Sequence, residues 1–190
     1  MRRREFSTFL GSAATASTLW PFAARAQQKA TPVIGFLSIS TPSVAAPSVA
    51  ALRQGLSETG YVEGQNLTIE YVWAEGRFDR LPALAADLVG RKVDVIVAIG
   101  GVSIRAVKNT TSTIPIVFLT GDPAFTASIA SLARPGSNLT GISTMTVELM
   151  SKRIQLLSEL VPQAGVITLL ANPNNPGTER AIREAEEAAR

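Results

Sequence analysis

The amino-acid sequence predicts an α/β fold: a Rossmann-like parallel sheet flanked by helices, followed by the beginning of a second α/β lobe. Short apolar runs bounded by Gly, Pro and Ser recur along the chain, which is typical of buried strands. Amphipathic segments of helical period separate these runs, and the alternation favours a parallel sheet covered by helices on both faces. The first lobe is predicted over residues 33–143, and the alternation resumes over residues 144–190.

The first half of this lobe contains two strands and two helices. The first strand is the apolar run VIGFL, bounded by Pro32. The first helix places Val49, Leu52 and Leu56 on one face. The second strand alternates polar and apolar residues, as expected near a sheet edge, and Asp79 is a plausible N-cap for the second helix. In chain order, the predicted elements are strand 33–37, helix 48–59, strand 66–73 and helix 78–89.

The second half of the lobe continues the same alternation. The runs VDVIVAI and IPIVFL are nearly continuous in apolar residues, as expected of strands buried on both faces. Two glycines, Gly100 and Gly101, separate the first run from a short helix. The predicted elements here are strand 93–99, helix 102–109, strand 114–119, helix 124–132 and strand 139–143.

Residues 144–190 predict a hinge and an incomplete second lobe. A long amphipathic helix is expected over 147–160, a strand over 166–171 and an acidic helix over 177–190. The last helix reaches Arg190 without a stop signal, and one strand cannot bury both of its faces against so little chain. We therefore expect a chain truncated at its C-terminus.

Residues 1–26 have the features of a twin-arginine-type export signal. They combine a basic start, a moderately apolar middle segment and an Ala24-Arg25-Ala26 cleavage motif, so we expect cleavage after Ala26 and a periplasmic location. The Arg3-Arg4 pair favours the twin-arginine route over general secretion. A membrane anchor is the alternative, but Pro21 and Arg25 interrupt the apolar segment.

Composition excludes several classes of function. The chain lacks both Cys and His, which excludes disulfides, thiolate chemistry and imidazole catalysis. Of its 18 Lys and Arg and 15 Asp and Glu, residues 1–26 hold four arginines and one glutamate, so the remainder is formally neutral. A nucleic-acid partner is therefore not expected. We also expect no cofactor and no metal site.

Several segments resemble a family of periplasmic substrate-binding proteins of ABC transporters. The most specific are GYVEGQN at 60–66 and RPGSNLTG at 134–141, and the runs VDVIVAIGG, TIPIVFLTGDP and LLANPNNP add to the similarity, which covers nearly the whole chain. The resemblance implies two lobes of the periplasmic-binding-protein type joined by a hinge, with a small solute held in the cleft between them. It also implies an ABC permease in the inner membrane as partner, and some relatives bind aromatic amino acids.

Ligands of open parallel sheets bind beyond the carboxyl ends of the strands, so the loops at these ends supply the candidate site. Two glycines before a helix favour binding of a carboxylate or another anion, although a plain tight turn explains them equally well. Neither phosphate-binding fingerprint is present, which argues against a dinucleotide site. The candidate ligand-binding residues are Ser38, Ser40, Gly100, Gly101, Ser103, Thr120, Asp122 and Thr144.

Asp122 is the carboxylate among these loops and could bind a solute ammonium. An ordinary turn and cap before Pro123 is the favoured alternative. Tyr71 and Trp73 are expected to pack on the sheet rather than to stack on a ligand.

The leading hypothesis is a solute-binding protein without enzymatic activity, and the alternatives are an exported Rossmann-like enzyme and a nonfunctional truncated remnant. Because half of the contacts would be missing, we expect the 190-residue chain to bind its solute weakly or not at all, and micromolar affinity for an amino acid would contradict this.

Overall fold

The computed structural model describes residues 31–122, 125–126, 129, 137–146, 149–175 and 177–190. Its strands are β1 (Val33–Ser38), β2 (Thr68–Trp73), β3 (Val95–Ile99), β4 (Ile116–Thr120) and β5 (Leu139–Ser143). Its helices are α1 (Pro42–Glu58), α2 (Leu81–Gly90), α3 (Gly101–Thr110), α4 (Met150–Leu160) and α5 (Thr178–Ala188), and a 3₁₀ turn, Phe78–Arg80, precedes α2.

The five strands form one parallel sheet in the order β2-β1-β3-β4-β5. This confirms the predicted α/β fold with a parallel sheet, and β2 lies at an edge as its alternating pattern indicated. Strand order reverses at β1, whose neighbours are β2 on one side and β3 on the other. A reversal of this kind leaves a crevice at the carboxyl ends of the strands, where α/β proteins bind ligands.

The two faces of the sheet are covered differently. On one face, α2 and α3 pack over Leu37, Ile96, Ile116 and Phe118, which are at most 2% exposed. On the other face, α1 covers a smaller cluster built on Phe36. The register places Val117 and Ile142 on the α1 face, but 40% and 67% of their surface remains exposed because α1 covers the other end of the sheet.

Two predicted helix starts are wrong. Helix α1 begins at Pro42 rather than at residue 48, because the Thr41 hydroxyl accepts a hydrogen bond from Val44 N and Pro42 suits the first turn. Asp79 does not cap α2, because it lies within the 3₁₀ turn and forms an ion pair with Arg77 at 3.0 Å. In both places polar residues that resemble a loop or a cap in the sequence belong to a helical turn.

The predicted strand 166–171 is also wrong. The segment forms no ladder with any described residue, and Val166 and Leu170 are 82% and 97% exposed. An apolar run becomes a strand only where a neighbouring strand satisfies its backbone groups, and the described residues provide none beside it. The predicted domain boundary between residues 143 and 144 stays a prediction, since Pro32–Arg190 clusters as one compact unit.

The segment 60–66 folds as a closed loop. Asn66 accepts a hydrogen bond from Val62 N at 2.7 Å and donates one to the Gly60 carbonyl at 2.8 Å. Gly60 and Gly64 have positive φ angles, which glycine adopts without strain. This segment, one of the two most specific parts of the family resemblance, is therefore a structural connection between α1 and β2.

Other predictions fall partly or wholly outside the described residues. The export signal at 1–26 lies outside them, as does most of the helix predicted at 124–132, of which Phe125 and Thr126 are helical. Helix α4 begins at Met150, and residues 147–148 before it are not described. Throughout the described part of the chain, every helix is too short or too polar to cross a membrane.

Candidate functional site

A cavity of about 860 Å³ lies at the carboxyl ends of β3 and β4. One wall is formed by the turns that follow these strands, and the opposite wall is formed by residues around the start of α5. The sheet wall contains Gly100, Gly101, Val102, Arg105, Thr120, Gly121 and Asp122. The opposite wall contains Leu169, Leu170, Ala171, Asn172, Asn175, Gly177, Thr178, Arg180 and Ala181, with Thr146 and Met150 between them. The cavity is large enough for a small solute.

The Gly100-Gly101 turn brings α3 close to the loop after β4. Gly100 has a φ of 88°, which favours glycine, and it precedes the first residue of the helix. A Cβ atom added to Gly101 would lie 2.9 Å from the Cβ of Asp122 and would overlap its carboxylate. The two glycines therefore let the chain's own carboxylate approach the N-terminus of α3. The predicted anion site at this turn already has an internal carboxylate beside it.

Asp122 is held by both charge and backbone contacts. Its Oδ2 accepts a hydrogen bond from Arg105 Nη2 at 3.0 Å, and its Oδ1 accepts one from Phe125 N at 3.3 Å. Its own backbone N–H donates to the Thr120 hydroxyl at 3.0 Å. The side chain is 23% exposed and that of Arg105 is 43% exposed. The contacts of Asp122 within the chain agree with the ordinary turn that the sequence favours. Because Asp122 also lies on the cavity wall, a solute in the cavity could still reach its carboxylate.

The hydroxyl groups predicted for the site separate into two groups. Thr120 lies on the cavity wall, and the Thr144 hydroxyl donates to the Thr120 carbonyl at 3.3 Å directly behind it. Ser38, Ser40 and Ser103 do not line the cavity. Ser38 is buried and its hydroxyl accepts a hydrogen bond from Ser40 N, while the buried Ser103 hydroxyl has no partner among the described residues. These three residues are therefore not part of the wall as the structure describes it.

The opposite wall presents hydrogen-bond donors. The side-chain oxygens of Asn172 and Asn175 accept hydrogen bonds from Asn174 N and Gly177 N, both at 3.0 Å, which leaves their amide N–H groups as donors. The Thr178 hydroxyl donates to the Asn172 carbonyl and ties this turn to the first turn of α5. The wall therefore combines amide donors with a helix N-terminus, both of which favour negative charge.

Sequence reasoning missed two cations of the site. Arg105 lies four residues after Gly101 on α3, so helical periodicity alone places the two on the same face. Arg180 lies in the first turn of α5, and its guanidinium is 3.8 Å from Glu184. No pattern in the sequence indicates that α5 approaches the sheet wall, so Arg180 could be found only from the structure.

Tyr71 and Trp73 lie away from the cavity, on the α1 face of the sheet. Their rings are parallel within 1° at a centroid distance of 6.0 Å, and both contact Phe36. The Tyr71 hydroxyl accepts a hydrogen bond from Arg53 and donates one to Glu63. Burial is the main cause that raises the pKa of Tyr71, while the Arg53 hydrogen bond opposes it. Both aromatic residues pack on the sheet, as predicted. Among the described residues no group of three or more carboxylates could hold a metal ion.

Comparison with known proteins gives relatives in sequence and in structure. A tyrosine-binding protein of Clostridioides difficile is 28% identical over 149 residues, which cover 76% of this chain and 43% of that protein. The crystal structure of a conserved domain protein from Vibrio cholerae is 28% identical with a TM-score of 0.74, and the match covers 84% of this chain and 53% of that one.

A third relative supports the fold alone. It is the crystal structure of an ABC domain in complex with L-Trp from Streptococcus pneumonia, at 21% identity and a TM-score of 0.71, covering 84% of this chain and 53% of that one. The chain thus spans about half the length of the relatives that it matches. The sequence profile of ABC transporter substrate binding proteins matches residues 33–190, and the chain therefore belongs to this family.

Proposed function

We propose that this chain is the solute-binding component of an ABC import system and that it holds an amino acid in the cavity between the sheet wall and the start of α5. The observation that carries the proposal is that the cavity lining presents both charges that complement a zwitterion. The sheet wall carries the Arg105–Asp122 ion pair, and Asn172, Asn175 and the start of α5 place further hydrogen-bond donors on the opposite wall. An amino acid carries an ammonium, which Asp122 complements, and a carboxylate, which the cationic and donor groups complement.

The apolar part of the cavity suits an aromatic or aliphatic side chain. Met150 and Leu169 lie on the wall together with the polar groups. Solute sites of this size are lined mostly by apolar residues, with a few polar groups that fix orientation. The relative named for tyrosine binding is consistent with an aromatic amino acid as solute.

The proposal includes closure and delivery. A solute in the cavity contacts both walls, and residues 144–146 connect β5 to the segment that leads to the second wall. Movement about this connection would close the cavity, exclude water and create the form that an ABC permease in the inner membrane recognises. The export signal predicted at residues 1–26 would place the protein in the periplasm, where such a permease collects its solute.

Calorimetric titration of the purified chain with each of the common amino acids tests this function. We expect saturable binding of at least one aromatic amino acid, and the same titration tests the sequence-based prediction that the 190-residue chain binds its solute weakly or not at all. The variant Asp122→Asn should weaken binding about tenfold or more, because it removes the charge-assisted bond to the ammonium. The variant Asp79→Asn is the matched control, since Asp79 also pairs with an arginine at 3.0 Å but does not line the cavity.

A result without saturable binding of any amino acid would contradict the proposal. So would equal affinities of the wild-type chain and the Asp122→Asn variant, because the polarity of the sheet wall depends on this carboxylate.

A further inference from the structure

The ion pair between Arg105 and Asp122 lies on the cavity wall, and it uses only part of the hydrogen-bonding capacity of Arg105. Among the described residues Arg105 makes one hydrogen bond, from Nη2 to Asp122 Oδ2. A guanidinium carries five N–H donors in a planar fork. Its side chain is 43% exposed, so the remaining donors are accessible from the cavity. Arg105 can therefore keep its bond to Asp122 and still bind a second carboxylate.

The position of Asp122 does not depend on Arg105. Phe125 N donates to its carboxylate, the Asp122 backbone donates to Thr120, and the missing Cβ of Gly101 makes room for its side chain. Ion pairs that are exposed to this degree contribute little to stability. The fold holds the carboxylate in place, and the carboxylate then orients the guanidinium. The pair is a preorganised group on the wall of a binding cavity, which is the arrangement that selective recognition requires.

We propose that the Arg105–Asp122 pair selects α-amino acids by matching the spacing between the ammonium and the carboxylate of the solute. The inference rests on the function proposed above and adds a residue and a selection rule to it. The solute lies beside the pair with its two charges in antiparallel order: its ammonium contacts Asp122 and its carboxylate contacts Arg105. Each charge of the solute then contacts an opposite charge, and the ion pair of the protein stays intact.

The spacing follows from the geometry of the pair. The two charged groups of the protein are in direct contact at 3.0 Å, so they can be bridged only by a solute whose own charged groups are equally close. A single carbon atom separates the ammonium and the carboxylate of an α-amino acid. An additional carbon in a β-amino acid adds a rotatable bond, so the solute fits this spacing only in a folded conformer, and an amide or an amine lacks the negative charge altogether. Arg105 is therefore a specificity residue, whereas Asp122 binds every solute that carries an ammonium.

The test compares four probes by calorimetry: L-tyrosine, L-β-homotyrosine, L-tyrosinamide and tyramine. We expect the wild-type chain to bind L-tyrosine about tenfold or more tightly than the other three, because each of these loses the charge-assisted bond to Arg105. In the variant Arg105→Gln, the affinity for L-tyrosine should fall to that of tyrosinamide, while the affinities for tyrosinamide and tyramine change little. The variant Arg105→Lys keeps the positive charge but lacks the planar fork of donors. Its affinity for L-tyrosine should therefore lie between the affinities of the wild-type chain and of Arg105→Gln.

The variant Arg77→Gln is the matched control, because Arg77 pairs with Asp79 at the same 3.0 Å distance outside the cavity. It should leave all four affinities unchanged. Circular dichroism and the thermal midpoint of each variant show whether it is folded. If Arg105→Gln is folded and keeps the wild-type preference for tyrosine over tyrosinamide, this inference is overturned while the proposed function stands. If the wild-type chain binds none of the four probes, this inference is overturned, and the proposed function is overturned as well only if the titration with the common amino acids also shows no saturable binding.

Discussion

Residues 33–143 and residues 144–190 follow the same alternation of apolar and amphipathic segments, but they differ in how much apolar surface they bury. The first region has core residues such as Phe36, Ile96 and Phe118 that are at most 2% exposed. In the second region, among the described residues, Ala185 is the one buried apolar residue. The exposed large apolar side chains of this region are Met145, Leu149, Leu156, Leu157, Leu160, Val161, Val166, Ile167, Leu169 and Leu170.

The cause of the difference is the sheet. In the first region five paired strands present two apolar faces, and helices cover one face and part of the other. In the second region α4 and α5 pack against each other, and the extended segment between them has no strand beside it among the described residues. Amphipathic helices bury their apolar stripe only against another layer. An amphipathic pattern in the sequence is therefore not sufficient to form a buried core.

The largest expected effect tests this contrast directly. Phe118 is 2% exposed and packs edge-to-face on Phe125 at a centroid distance of 5.5 Å. The variant Phe118→Ala should lower the free energy of unfolding by about 3–5 kcal/mol, because it creates a cavity in the core. The variant Leu160→Ala, at a side chain that is 80% exposed, should change it by less than about 0.5 kcal/mol. Urea unfolding measures both values, and similar losses in the two variants would contradict the contrast.

The same contrast explains which parts of the fold could be predicted from the sequence. The strands of the first region were predicted within about two residues, because their short apolar or alternating runs are bounded by turn residues and separated by helical segments, a pattern typical of a parallel sheet. The run at 166–171 has a comparable composition, VITLLA, yet it is not a strand. Strand formation depends on a neighbour, which the local sequence does not encode.

The candidate site likewise contains some residues that the sequence could predict and one that it could not. Gly100, Gly101, Thr120 and Asp122 lie on the cavity wall, where the rule for strand ends of parallel sheets places them. Arg105 could have been found from its spacing to Gly101 on a helix. Arg180 could not, because its place on the wall results from the approach of α5 to the sheet, which is a tertiary contact. Residues on strand-end turns are thus predictable, and residues contributed by distant elements are not.

A smaller effect concerns the polar contacts at the edge of the first region. The pKa of Tyr71 is raised mainly by burial, so the neutral phenol is favoured in the folded state. Its contribution to stability is intact below the unfolded pKa of about 10 and is lost as the pH rises through the folded pKa. The variant Tyr71→Phe should be less stable by about 1 kcal/mol or less at neutral pH, since it loses hydrogen bonds that are partly exposed.

Unfolding measured between pH 8 and about pH 11 checks the sign of this effect. The variant Tyr71→Phe should lose less stability than the wild-type chain as the pH rises through this range. The variant Tyr61→Phe keeps Tyr71 and should follow the wild-type profile. A Tyr71→Phe profile that falls as steeply as that of the wild-type chain would show that the phenol is not protected by burial.

The smallest effect on stability is expected in the second region, at Val166. This side chain is 82% exposed in an uncharged segment that has no strand partner among the described residues. The variant Val166→Lys should change the free energy of unfolding by less than about 0.5 kcal/mol.

The variant Val166→Lys should also reduce concentration-dependent association measured by sedimentation, because a charge on an unpaired apolar segment opposes edge-to-edge pairing. The variant Val44→Lys, at an exposed position of α1, is the matched control and should leave association unchanged. A loss of more than about 1 kcal/mol in Val166→Lys would mean that Val166 is buried in solution, and the contrast between the two regions would then be wrong.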